Sequence, residues 1–169
     1  LLMNAPRQYP LLTNLLVLQD ELVAHLKAAL ADIRPAVHVL APSDLASKVD
    51  AKGIATVIQP TPAVNVIFLG LRPSTDPARQ RTDGSAMIMQ QLFVAEVVTR
   101  NVRDLKAGTA ARNDAGELAA QVLLALMATK LPSGLGVLKI LPGPGPVYQG
   151  GNQYLPISIE TALQVVKPI

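Results

Sequence analysis

The chain has 169 residues, of which 50% are hydrophobic, 3% aromatic and 16% charged, with a net charge of +3 and a pI near 9.4. Cysteine is absent, which excludes disulfides and thiolate chemistry and fits a reducing compartment. No apolar run of about 18 residues is free of charge, so no membrane span is expected, and Arg7 alone is too little basic charge for a signal peptide. Met3 is a candidate start, with Leu1 and Leu2 ahead of it. The length is read most simply as one domain covering 1–169, with room for a sizeable core. The charged fraction lies below the usual quarter or so. Apolar surface beyond the needs of one core is then expected at subunit interfaces, which resemble a core cut in half.

The first expected element is a helix from Asn14 to Ile33. Leu15, Leu18, Leu22, Leu26, Leu30 and Ile33 recur at threes and fours, Thr13 or Asn14 can cap it, and Pro35 stops it. "AVHVLA" (Ala36 to Ala41) reads as a short strand. "PSDLASKVDAKG" reads as one or two helical turns ending at Gly53, and "IATVIQ" as a short strand closed by Pro60 and Pro62. "AVNVIFLGLR" (Ala63 to Arg72) is apolar on both faces, the pattern of a central strand covered on both sides. A polar loop, Pro73 to Ser85, leads to "AMIMQQLFVAEVVTR" (Ala86 to Arg100). At about 3.3 Å per residue that strand would approach 50 Å, so part of it is expected to project as a hairpin arm.

A second polar loop, Asn101 to Arg112, precedes a helix from Asn113 to Lys130, capped by Asn113 or Asp114 and apolar almost all round. Such a helix is buried or is itself an interface. "GVLKIL" (Gly136 to Leu141) is a short strand. "LPGPGPVYQGG" follows, whose alternating prolines and glycines hold an extended course. From Leu155 a half-buried strand of about ten residues alternates Leu155, Ile157, Ile159, Leu163 and Val165 with more polar neighbours. The layout predicts an α+β domain with a mostly antiparallel sheet of four to five strands, two long helices packed on it, and projecting loops.

Chemistry is sparse. His25 lies one helical turn from Glu21, the spacing of a helical ion pair or a solvated position, and His38 sits in a strand between two valines. Neither has the convergent partners of a triad or a metal site. Asp20 and Glu21 are adjacent and so diverge on a helix, and GxSxG is absent. "GPGPVYQGG" has the glycines of a phosphate loop but no Gly-Lys-Ser/Thr end, and its prolines remove the N–H groups a phosphate needs. No catalytic residue, metal site or cofactor is expected, and the chain is not read as an enzyme. Arg72, Arg79, Arg81, Arg100, Arg103, Lys106 and Arg112 concentrate charge in the two polar loops and their flanks. Between Arg72 and Arg112 only Phe93 could stack on a base, which disfavours a nucleic-acid surface. Tyr148 and Tyr154, two of five aromatics, flank the Pro-Gly segment, and each either plugs the edge of the core or docks on a neighbouring subunit.

An order of elements emerges: an N-terminal helix, "VHVLAPSDLA", "NVIFLGLRP", "QLFVAEVVTRN" leaving a polar loop, "AGELAAQVLLALM", and "GGNQYLPISIETAL" with Gly150, Gly151 and Tyr154 entering the last strand. This order resembles the tail terminator, or tail completion, proteins of long-tailed bacteriophages, including the small minor tail proteins of contractile-tailed phages. The resemblance spans nearly the whole chain. It implies a structural protein of the virion tail or neck, assembled in the host cytoplasm. Such a protein forms a hexameric ring that caps the tail tube, stops its polymerisation and presents the head-joining surface. The implied partners are other copies of itself, the tail tube protein, a neck or head-completion protein, sheath protein where the tail has one, and DNA that passes through the lumen without specific recognition. No membrane partner is implied. Arg72, Arg79, Arg81, Arg103, Lys106, Arg112, Tyr148 and Tyr154 are the candidate interface residues. A head-completion or neck connector protein is the alternative within the same class. A basic nucleic-acid-binding protein is a further one.

Overall fold

The computed structural model describes residues 12–45, 47–75, 83–100 and 108–168. The elements are α1 (Val17–Ala29), β1 (His38–Leu40), a 3-10 turn (Pro42–Asp44), β2 (Ser47–Val49), β3 (Ala55–Val57), β4 (Ala63–Pro73), β5 (Ala86–Arg100), α2 (Gly108–Leu126), β6 (Leu135–Leu141), β7 (Val147–Gln149) and β8 (Asn152–Val166). The main sheet runs β1-β4-β5-β8-β6, and β7 also pairs with β8. Every pairing is antiparallel except β1 with β4. The α+β architecture with two helices on a mostly antiparallel sheet therefore holds, with five strands in the main path and β7 as a sixth.

Alternation along the strands sorts side chains onto two faces. Val64 and Val66 of β4, Phe93, Ala95 and Val97 of β5, and Ile159 and Leu163 of β8 join one buried cluster with Leu18, Leu22 and Leu26 of α1 and Leu118, Val122 and Leu126 of α2. Both helices thus lie on the same face. Three polar contacts fix their seating. The Gln19 amide donates to the Val66 carbonyl at 2.8 Å and the Gln91 amide to the Leu15 carbonyl at 2.9 Å. His25 Nε2–H donates to the Ala125 carbonyl at 2.7 Å, tying α1 to α2. His25 is therefore a helix–helix clamp and makes no ion pair with Glu21. The Glu21 carboxylate instead accepts the Ser133 backbone N–H at 3.0 Å and the Ser133 hydroxyl.

Several boundaries differ from expectation. "PSDLASKVDAKG" does not form helical turns ending at Gly53; after the short 3-10 turn it becomes β2 and the turn into β3. The cause is Asp50, whose Oδ1 accepts the N–H groups of Lys52 (2.8 Å) and Ile54 (2.9 Å), while Gly53 takes a φ of +75°. α1 is shorter than 14–33, because Asn14 Oδ1 accepts the Leu16 N–H at 2.9 Å in a turn ahead of the helix. α2 begins at Gly108, inside the stretch read as a loop, since Ala110 and Ala111 extend a good helix-forming run. It ends before Lys130 because Ala128 adopts a φ of +52°. β4 is covered on both faces only from Ala63 to Val66, and its distal half is mostly exposed. β5 pairs along its whole length with β8, from Ala86↔Val166 to Arg100↔Asn152, so any part of it beyond the core is a paired ribbon. β8 reaches fifteen residues instead of about ten because a hairpin extends its N-terminal end. Most of the two polar loops, residues 76–82 and 101–107, lies outside the described residues.

Candidate interaction surfaces

β7 and β8 are joined by a two-residue turn. Gln149 pairs with Asn152, and Gly150 and Gly151 have φ of +59° and +78°. Two consecutive positive φ values match the tight hairpin turn whose twist suits the flanking strands. This turn sets the tyrosines. Tyr148 lies opposite Gln153 and Tyr154 opposite Val147, so the two rings leave opposite faces of the hairpin. Tyr148 is 57% exposed, and Tyr154 is half-buried, its hydroxyl 3.5 Å from Asn152 Nδ2. Ahead of the hairpin, residues 142–146 carry no regular structure, and Gly143 lies so close to β8 that a Cβ there would stand 2.7 Å from Ser158 Oγ. The Pro-Gly segment is therefore a strap held against β8.

Arg72 sits at the other end of the sheet, on the face away from the helices. Its Nε donates to Gln90 Oε1 at 3.1 Å, and its guanidinium meets Glu160 Oε2 at 3.3 Å. Glu160 is only 8% exposed at its side chain while Arg72 is 59% exposed. Arg72 thus partners a buried carboxylate before it can serve any neighbour. On the same face Asn65 Nδ2 donates to Gln59 Oε1 at 2.8 Å and to Glu96 Oε2 at 3.3 Å. These bonds lay the crossover from β3 to β4 on that side of the sheet. Arg72 pairs with Gln90 and Tyr154 with Val98. The two candidates are therefore roughly 26 Å apart along β5 at about 3.3 Å per residue, and they do not converge. Arg79, Arg81, Arg103 and Lys106 lie outside the described residues, and Arg112 falls within α2 at a position whose side chain is not described.

Apart from Tyr148, sequence reasoning passed over the exposed apolar residues. Val49, Ile54, Val57 and Ile58 on and beside the β2–β3 hairpin are 49–61% exposed; Val137, Ile140, Val147 and Tyr148 on β6 and β7 are 39–57% exposed. Of the first group, Val49 fell in the stretch read as helical turns and Ile54, Val57 and Ile58 in a short strand, and a period of two cannot tell which strands lack a covering layer. Among the described residues no group of three or more His, Asp and Glu is placed to hold a metal, and no helix is long and apolar enough to cross a membrane.

No curated protein matches the chain. Among solved structures, a chain described as "Virion of native gene transfer agent (GTA) particle" is similar over 87% of this chain and 94% of that one, at 19% identity and a TM-score of 0.48. The family described as "Phage tail terminator protein" matches residues 18–166. With that span covering both helices and nearly all of the sheet, the chain belongs to the phage tail terminator family.

Proposed function

We propose that the chain acts as one tail-terminator domain whose copies assemble into a ring, most simply a hexamer, on the end of the finished tail tube. The ring stops tube polymerisation and offers its other face to the neck or head-completion protein. The family match over residues 18–166 carries this reading. The fold supports it by leaving apolar side chains exposed on the β2–β3 hairpin and on the β6–β7 edge, two unlike surfaces of the kind a ring subunit needs for head-to-tail contact. The polar segments 74–85 and 101–107, with the first turn of α2, are the proposed axial contacts to tube and neck, with Arg79, Arg81, Arg103, Lys106 and Arg112 meeting acidic subunits or facing the DNA in the lumen. Where the tail is contractile, sheath protein is a further neighbour. The protein works as a part of the virion tail, with no substrate and no cofactor.

The test is tube growth. Added to polymerising tail tube protein, the chain should halt elongation at a ratio of about one ring per tube end, set by the ring stoichiometry. Tubes of unchanged length and uncapped ends at saturating protein would refute the capping role.

A further inference from the structure

The β2–β3 hairpin forms a separate two-stranded sheet. A lone hairpin is marginally stable in water, and on and beside this one four large apolar side chains, Val49, Ile54, Val57 and Ile58, are 49–61% exposed. The segment from Ile54 to Ile58 contains no charge and no proline, the devices that ordinarily blunt an exposed strand edge. Its turn is nevertheless rigid. Asp50 accepts two backbone N–H groups, its own N–H donates to the Ile54 carbonyl at 3.0 Å, and the Gly53 N–H donates to the Asp50 carbonyl at 3.0 Å. A preorganised element loses little freedom on docking.

The second exposed apolar group lies on the edge of the main sheet away from β1. The hairpin connects β1, one edge of the main sheet, to β4; β6 and β7 form the other edge. Four strand spacings of about 4.8 Å separate these edges by roughly 19 Å, and the hairpin's chain enters from β1 and leaves into β4, at the far edge from β6 and β7. β6 and β7 pair with no strand but β8, and of the remaining backbone groups of β6 the Leu138 N–H is taken by the Thr129 carbonyl at 2.7 Å. Counted over both faces of its strands, each group exposes roughly 400 Å², and a stable interface of about 1,600 Å² is a little over half apolar. Brought together, the two groups are the right size for one such contact.

We propose that the β2–β3 hairpin of one copy docks on the β6–β7 edge of the next copy. The ring then closes through a repeated contact between two unlike surfaces, since a head-to-tail contact that rotates into closure needs no self-complementary patch. This inference rests on the ring reading above and names the surfaces that build it.

The absence of cysteine makes cross-linking clean. Ile54→Cys and Val57→Cys on the hairpin, and Val137→Cys and Tyr148→Cys on the edge, are made singly in the full chain and oxidised alone and in mixtures under assembling conditions. All four positions are exposed, and melting curves check folding. The expected result is cross-linked dimers only when a hairpin variant is mixed with an edge variant, and a ladder ending at the ring when one chain carries both. Light scattering of Val57→Asp should show subunit association weakened on the order of 100-fold, because an unpaired carboxylate resists burial at an apolar contact. Hairpin-to-hairpin cross-links, or a full-mass ring with no hairpin-to-edge cross-link and no effect of Val57→Asp, would overturn the inference while leaving the ring intact. An unmodified chain that stays monomeric with and without tail tubes would overturn both.

Discussion

Phe93→Ala is the perturbation whose cost the fold specifies best. Phe93 is fully buried at the middle of β5, between Phe68 of β4 and Ile159 of β8, and it joins the cluster beneath both helices. Its ring stands 5.5 Å from that of Phe68 at an interplanar angle of 55°, a tilted aromatic pair. Truncation removes the transfer free energy of the ring and leaves a cavity that the paired strands on both sides cannot close, a loss of about 3–5 kcal/mol. For a chain of this length that lowers the melting temperature by about 6–20 °C. Urea unfolding at 25 °C, at a concentration where the protein is monomeric, reads the loss directly. A cycle with Phe68→Ala should return a coupling of about 0.5–1.5 kcal/mol. A loss below about 1.5 kcal/mol at unchanged m would mean that Phe93 is not enclosed as described, and the seating of the helices on β5 would fall with it.

Arg72→Ala should cost about 1–2 kcal/mol, more than an ordinary surface pair, because it leaves the Glu160 carboxylate buried without its cation. Adding Glu160→Gln should recover most of that loss in the same urea titration, and a single-variant loss within about 0.3 kcal/mol would contradict it. Gly150→Ala and Gly151→Ala each force a side chain into left-handed backbone at about 1–2 kcal/mol. Since β7 is short and exposed, the effect should be local. Amide exchange at β7 should quicken about tenfold or more while the melting temperature hardly moves, and unchanged β7 protection would refute the turn assignment.

The long elements were readable because each pairs a strong period with a clear terminator. Leu18, Leu22 and Leu26 mark the buried stripe of α1, and Leu155, Ile157 and Ile159 mark the inner face of β8. The misreadings share a cause in local side-chain chemistry that overrides composition. Asp50 closes a turn with its carboxylate, so a stretch with helical composition becomes a hairpin. Ala128 and the Gly150–Gly151 pair move element ends by several residues through backbone conformation alone. Tertiary partners were the least legible feature. Nothing in the spacing of His25, Glu21 or Gln19 announces that they bond to Ala125, Ser133 and Val66, more than forty residues away in each case. The candidate interface residues were chosen by type, and the fold places Arg72 and Tyr154 at opposite ends of the sheet.

The ring itself is the central claim, and solution mass tests it most directly. Light scattering on a sizing column across a concentration range should show a sharp species at six times the 17.9 kDa chain mass, alone or once tail tubes are added. A chain that stays at 17.9 kDa at every concentration, with and without tubes, would contradict the account.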